Sequence, residues 1–172
     1  MMAPNTPLAP HFTAHELGAD NPDIPGWALS NLYQTAEWLE AARSLLGVPL
    51  VLESGWRSAE HNAAVGGSDT SDHPNGLAAD FKARGLSLYA AYRKLRDNPL
   101  PPFDQLIFYP LDGHIHVGLG PRLRREFRLK LAEGGYPILT PSLESRLRAS
   151  TSTLLVLVVV GLLIYVLTRK GA

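Results

Sequence analysis

The sequence contains one long apolar segment near its C-terminus, and this segment constrains the fold more than any other feature. Residues 149–168 carry no charged side chain, and residues 154–167 are apolar throughout. As a helix, about 20 residues rise roughly 30 Å, the thickness of the hydrocarbon core of a bilayer. We therefore expect a transmembrane helix over 149–168 that contacts the lipid bilayer, followed by a short basic tail over 169–172. A buried core helix is the alternative, because the strictly apolar run is slightly short for a span.

The rest of the chain is long enough for one globular domain with a buried core. Lys+Arg and Asp+Glu each number 16, so the formal net charge is zero and we expect no nucleic-acid partner. The sequence has no cysteine, so any metal ion must be held by His, Asp or Glu. The first ten residues lack the basic start and apolar core of a cleaved secretion signal, and we expect none. Nothing in the sequence indicates an oligomeric state.

Hydrophobic periodicity predicts an α+β domain, in which a small, mainly antiparallel sheet packs with two or three helices. Gly47 is expected to end the first helix, and Ser58 and Ser87 to cap the other two. Residues 1–25 indicate a loop or a laid-down arm, and residues 66–76 are too rich in turn formers for regular structure. Predicted helices cover 25–46, 58–65 and 87–97, and predicted strands cover 49–54, 77–81, 103–109 and 114–119.

The segment 121–148 is basic and has no clear repeat, so we expect a connector between the domain and the apolar segment. Its cations either lie against anionic lipid headgroups or form a solvated charged face.

A histidine and an aspartate flank a tight turn in the segment S-D-H-P-N-G-L-A-A-D-F, residues 71–81. Pro74 forbids a regular helix after His73, and Asn75-Gly76 reverses the chain. Asp80 then follows on a short strand among small residues. The two side chains can therefore converge and offer one nitrogen and one oxygen to a zinc ion.

Two histidines alternate along a second predicted strand, in D-G-H-I-H-V-G-L, residues 112–119. Side chains at positions i and i+2 share one face of a strand, so His114 and His116 point the same way while Ile115 and Val117 point into the core. One histidine can complete a three-ligand site with an open fourth position. The other can stand beside that position as an acid–base group.

Together these motifs resemble the signature of a zinc peptidase family. The pattern S-x-H-x-x-G-x-A-x-D, followed by H-x-H, is similar to that of the zinc D-alanyl-D-alanine carboxypeptidases and L-alanyl-D-glutamate endopeptidases. Further similarity lies in H-F-T-A-H-E-L, S-G-W-R-S-A-E-H-N-A-A-V-G-G and F-D-Q-L-I-F. The resemblance covers residues 11–120, which leaves 1–10 as an N-terminal arm. It implies a small α+β fold and a Zn²⁺ cofactor.

The resemblance also implies roles for individual residues. His73, Asp80 and His116 match the three zinc ligands. His114 matches the histidine beside the zinc-bound water, and Arg57 matches the arginine that polarises the scissile carbonyl or holds a substrate carboxylate. Ser71 matches the motif serine near the substrate.

The sequence departs from the family pattern at the general base. Many members carry a glutamate near the second motif, whereas here the matching position holds Phe108 or Tyr109, and Gly113 lies three residues before His116. The base role therefore passes to His114, with Asp112 as a second candidate.

The resulting functional hypothesis is a membrane-anchored peptidase that cuts the stem peptide of peptidoglycan, in a bacterial envelope or on a viral membrane. A phage lysin or a virion-associated lytic protein fits this description. The resemblance leaves open whether the D-Ala-D-Ala bond or the L-Ala-D-Glu bond is cut. The alternative is a non-catalytic zinc domain for wall attachment or protein interaction.

Overall fold

The computed structural model describes residues 2–132 and 134–140, and these residues form an α+β domain as the sequence predicted. The four helices are α1 (Ala14–Leu17), α2 (Gly26–Leu46), α3 (Ala59–Ala64) and α4 (Leu88–Arg96). The strands are β1 (Pro7–Ala9), β2 (Phe12–Thr13), β3 (Leu50–Ser54), β4 (Ala78–Ala83), β5 (Gln105–Tyr109), β6 (His114–Gly118) and β7 (Glu126–Leu129).

The main sheet of the described residues has the strand order β3-β4-β6-β5-β7. Neighbouring strands are antiparallel except β5 and β7, which run parallel. Helices α2 and α4 contact the sheet, and side chains such as Phe81, Ile115 and Val117 are buried in the core between them. The opposite face of β4 and β6 is therefore available to polar side chains, since successive residues of a strand alternate between the two faces.

The three longer helices begin and end where the sequence indicated. Gly47 adopts a φ of 74°, the left-handed conformation that suits glycine, and its N–H closes α2 on the Arg43 carbonyl. The hydroxyls of Ser58 and Ser87 accept backbone hydrogen bonds at the starts of α3 and α4. The predicted helices and strands up to residue 119 are thus confirmed, with bounds shifted by one or two residues.

The expected connector differs from the structure, because part of it belongs to the domain. Residues Glu126–Leu129 form β7, which pairs with β5 from Gln105↔Glu126 to Phe108↔Leu129. Backbone hydrogen bonds of Leu129 and Leu139 then hold residues 137–139 along the outer side of β7. The sheet therefore continues past residue 120, where sequence similarity had placed the end of the domain.

The N-terminal residues also carry more structure than a loop or an arm. Strands β1 and β2 pair, and Leu8, Phe12 and Leu17 are buried in the core. No helix within the described ranges is long and apolar enough to cross a membrane. The expected transmembrane helix at 149–168, the basic tail at 169–172 and the last part of the connector lie outside the described residues.

Candidate metal centre

Three side chains with metal-binding atoms converge on the polar face of the sheet. His73, Asp80 and His116 each offer one ligand atom, and these atoms all lie within 4.8 Å of one another. The residues are only 3%, 6% and 6% exposed. Asp80 and His116 sit opposite each other on β4 and β6, which explains their proximity. His73 arrives from the turn before β4, as the sequence predicted.

Hydrogen bonds from other elements hold the turn between His73 and β4. The indole of Trp56 donates to the Pro74 carbonyl at 3.0 Å, and the Asn31 amide donates to the Asn75 carbonyl at 2.9 Å. The hydroxyl of Thr35 donates to the Gly76 carbonyl at 2.8 Å. Three consecutive carbonyls are therefore fixed by side chains from α2 and from the segment after β3, which keeps His73 in place.

The orientation of the His73 ring follows from its partners. Its Nδ1 lies 2.6 Å from the Gly55 carbonyl, which can only accept a hydrogen bond. Nδ1 therefore carries the proton, and the lone pair of Nε2 accepts from the Arg57 guanidinium, 3.1 Å away. Such a backbone contact on the remote nitrogen is how proteins fix metal-binding histidines.

Electrostatics favour a positive charge at this group. Burial alone raises the pKa of the Asp80 carboxyl, but the hydrogen bond from His116 and the interaction with the nearby His73 outweigh burial and lower it. Burial lowers the pKa of His116 despite the neighbouring carboxylate, which favours the neutral imidazole that binds metals. The guanidinium of Arg57 contacts Asp80 and lies 3.1 Å from Nε2 of His73. The Arg57 guanidinium thus balances the charge of the Asp80 carboxylate, as a bound metal ion would also do.

His114 stands at the rim of the group, on the same face of β6 as His116. Its Nε2 is 3.8 Å from the Asp80 carboxylate, and its ring stacks on Tyr109 with 4.4 Å between ring centroids. This confirms the shared face that the H-x-H spacing predicted. It also gives His114 a fixed orientation, because an aromatic pair restricts both rings.

Two buried imidazoles and one buried carboxylate fit zinc, which takes nitrogen and oxygen ligands and in catalytic sites keeps an open position. A family model described as Peptidase M15 matches residues 6–118. The chain belongs to the peptidase M15 family. Members of this family are zinc-dependent, and the His-Asp-His group could bind the ion. No curated protein matches the chain.

The metal group of this M15 peptidase lies in a cleft of about 760 Å³. Arg57, Ser71, Asp112 and His114, all predicted from the sequence, line the cleft together with the three metal-binding side chains. The Ser71 hydroxyl accepts a 3.3 Å hydrogen bond from the backbone of His73. The structure therefore brings the predicted site residues into one place.

One side of the cleft was not anticipated. Arg122, Arg124, Arg128 and Lys130 line it, and we call these four residues the basic wall. They come from β7 and its flanking residues, which the sequence had suggested to be a connector near lipid or solvent. The sequence did hold a signal for this strand, because Phe127, Leu129 and Leu131 alternate with charged residues, the pattern of a half-buried strand.

Proposed function

We propose that this M15 peptidase is a zinc-dependent peptidoglycan peptidase that hydrolyses a peptide bond in the cell-wall stem peptide. The observation that carries the proposal is the buried His73–Asp80–His116 group at an open cleft, with His114 and Arg57 beside it. A structural zinc site is closed by four protein ligands, whereas a catalytic site keeps a position open. The cleft gives substrate access to such a position.

In this proposal His73, Asp80 and His116 hold the zinc ion. When bound, zinc supplies a Lewis acid that polarises a carbonyl and makes water a stronger nucleophile near neutral pH. Asp80 contributes negative charge, and the Gly55 carbonyl keeps the His73 ring in the tautomer that a ligand needs.

His114 acts as the general base and then as the general acid. It accepts the proton of the attacking water and returns it to the leaving amine, and the Tyr109 ring holds it in orientation. Asp112 also lines the cleft and is the second candidate for this role.

Arg57 polarises the scissile carbonyl or binds a carboxylate of the substrate. Its Nε donates to the Ser54 hydroxyl at 2.6 Å, and its terminal nitrogen Nη2 is directed toward the metal group. A planar guanidinium suits both tasks, because its fork matches two oxygen atoms. Ser71 lies on the substrate side of the cleft and contributes a polar contact.

The substrate bond is D-Ala-D-Ala, as in a carboxypeptidase, or L-Ala-D-Glu, as in an endopeptidase. The uncharged segment 149–168 supports anchoring of the peptidase in a bacterial envelope or viral membrane, and a role as a phage lysin is consistent with that anchoring.

The test uses the full-length chain in a nonionic detergent, incubated with zinc and murein. Mass spectrometry should detect stem-peptide fragments, and defined muropeptides identify the bond. The variant His116→Ala should lose zinc binding and cleavage. In contrast, His114→Ala should retain zinc affinity in calorimetry and lose about 10²–10⁴-fold in rate. His15→Ala is the matched control, since His15 lies outside the cleft. Stoichiometric zinc binding without any released fragment would refute the enzymatic proposal.

A further inference from the structure

The basic wall lies on the same face of the sheet as the metal group. Strand pairing places Asp80 opposite His116, His116 opposite Ile107, and Ile107 opposite Arg128. These four residues form one row across the sheet, so their side chains share a face. Alternation along β7 directs Phe127 and Leu129 to the core and Arg128 to this face. Arg124 and Lys130 flank the strand and line the same cleft.

The basic wall carries more positive charge than its own acidic partners balance. Arg124 donates to the buried Asp104 at 2.8 and 2.7 Å, and Arg128 is held by Glu126. Arg122 has a side chain 64% exposed and approaches Asp104 only to 3.7 Å. Four cations thus face two directly paired carboxylates, and Asp72 is a third acid that interacts with Arg122 and Arg124 at longer range.

Lys130, unlike the three arginines, has no acidic partner within salt-bridge distance among the described residues. Its ammonium group donates to the Tyr136 hydroxyl at 3.0 Å and lies 4.3 Å from the centre of that ring. Neither contact neutralises the charge, so Lys130 remains able to attract an anion in the cleft. Arg122 and Lys130 are therefore the two wall residues best placed to bind one.

The distance from the metal group to the wall corresponds to a short piece of peptide. Two strand spacings separate β6 from β7, which amounts to about 10 Å. An extended peptide advances about 3.3–3.6 Å per residue. A substrate with its scissile bond at the metal group therefore reaches the backbone of β7 about three residues away, and the long arginine and lysine side chains of the wall shorten this to about two.

We propose that the basic wall binds a carboxylate carried by the substrate peptide about two residues from the scissile bond, and so selects acidic over amidated peptides. This inference rests on the proposed peptidase function. The residues that carry it, 122–130, lie outside the part of the chain matched by the family model, residues 6–118. The wall would therefore be a specificity element of this chain beyond the matched region.

The test compares two pentapeptides that differ in one group. Both have the order L-Ala, D-Glu, diaminopimelate, D-Ala, D-Ala, and in one the side-chain carboxylate of diaminopimelate is a carboxamide. The third residue is the second from the scissile bond for either proposed cleavage. Binding to the metal-free full-length chain is measured by calorimetry, and kcat/KM is measured with zinc.

We expect the acidic peptide to bind about tenfold more tightly than the amide, because two partly exposed ion pairs can supply that difference. The difference in affinity should shrink at high salt. The double variant Arg122→Gln/Lys130→Gln should bind both peptides equally. The single variant Arg122→Gln, at an exposed position, should lose part of the preference without affecting thermal stability. Arg84→Gln is the matched control, because Arg84 is exposed and outside the cleft.

The outcomes separate this inference from the proposed function. Equal binding of both peptides by the unaltered protein would overturn the inference, as would a preference that survives in the double variant. Discrimination in binding that the double variant loses would support it, even if neither peptide is cleaved. Cleavage of both peptides at equal rates, with equal binding, would leave the peptidase function standing without the acidic preference.

Discussion

Replacing Thr35 by valine, on helix α2, should destabilise both the fold and the turn that carries the metal-binding His73. Thr35 is fully buried, and its hydroxyl donates to the Gly76 carbonyl at 2.8 Å. Valine has nearly the same shape as threonine, so the change removes only the hydroxyl donor and leaves the Gly76 carbonyl without this hydrogen bond. Such a loss costs about 1–3 kcal/mol of unfolding free energy. With a urea slope of about 2 kcal/mol/M, the midpoint should fall by about 0.5–1.5 M.

The same change should weaken zinc binding, because the Thr35 contact holds the turn that carries His73. We expect about a tenfold loss of affinity, the scale seen when partners of metal ligands are removed. Urea unfolding is followed by tryptophan fluorescence with a chelator present, and zinc affinity is measured by calorimetry. Thr35→Ser is the control, since it keeps the hydroxyl and should retain zinc affinity. The reasoning is refuted if Thr35→Val unfolds within about 0.3 kcal/mol of the unaltered protein, or if serine weakens zinc binding equally.

Two further predictions concern neighbouring parts of the cleft. Hydrogen bonds from Arg124 hold the pKa of Asp104 below its usual range, so this carboxylate stabilises the fold above the unfolded-state pKa of about 4 and loses its effect as the pH falls. Asp104→Asn should therefore cost about 1 kcal/mol at pH 7, a difference that vanishes in acid-range unfolding experiments, and a cost independent of pH would contradict this. Tyr109→Ala should lower kcat about tenfold with unchanged zinc affinity, because His114 loses its stacking partner, whereas Tyr109→Phe should be nearly silent. Equal losses in both Tyr109 variants would indicate that the hydroxyl matters instead.

The local part of the fold could be predicted because each element carries its own signals. Helix α2 shows a continuous apolar stripe and ends at a glycine, and α3 and α4 each begin at a serine cap. Strand β7 was not predicted, because its local signals are weak. Arginines interrupt its half-buried pattern, and the sequence alone does not show which acids they pair with. Arg124, for example, pairs with Asp104, which lies 20 residues earlier in the chain. A strand that pairs with a non-consecutive neighbour gives no local sign of its partner.

In the candidate site, too, the local features could be predicted from the sequence and the long-range contacts could not. The convergence of His73 and Asp80 could be predicted from the turn between them, and the shared face of His114 and His116 from strand alternation. The supporting contacts could not, because they join residues far apart in the chain. Trp56 and Thr35, for example, reach the turn from 18 and 41 residues away. Such pairs depend on tertiary packing, which periodicity does not encode.

The pairing of β4 with β6 makes the protein unequally tolerant of changes in chain length. One residue inserted just before His116 in β6 would move every residue beyond it to the opposite face, so that His116 would point into the core and Val117 into the cleft. The pairing Asp80↔His116 would be lost with no substitution at either position. In contrast, the irregular segment 66–71 lies at the cleft edge and could absorb extra residues without disturbing the strand register. Insertions there would alter the shape of the cleft and leave the metal-binding side chains where they are.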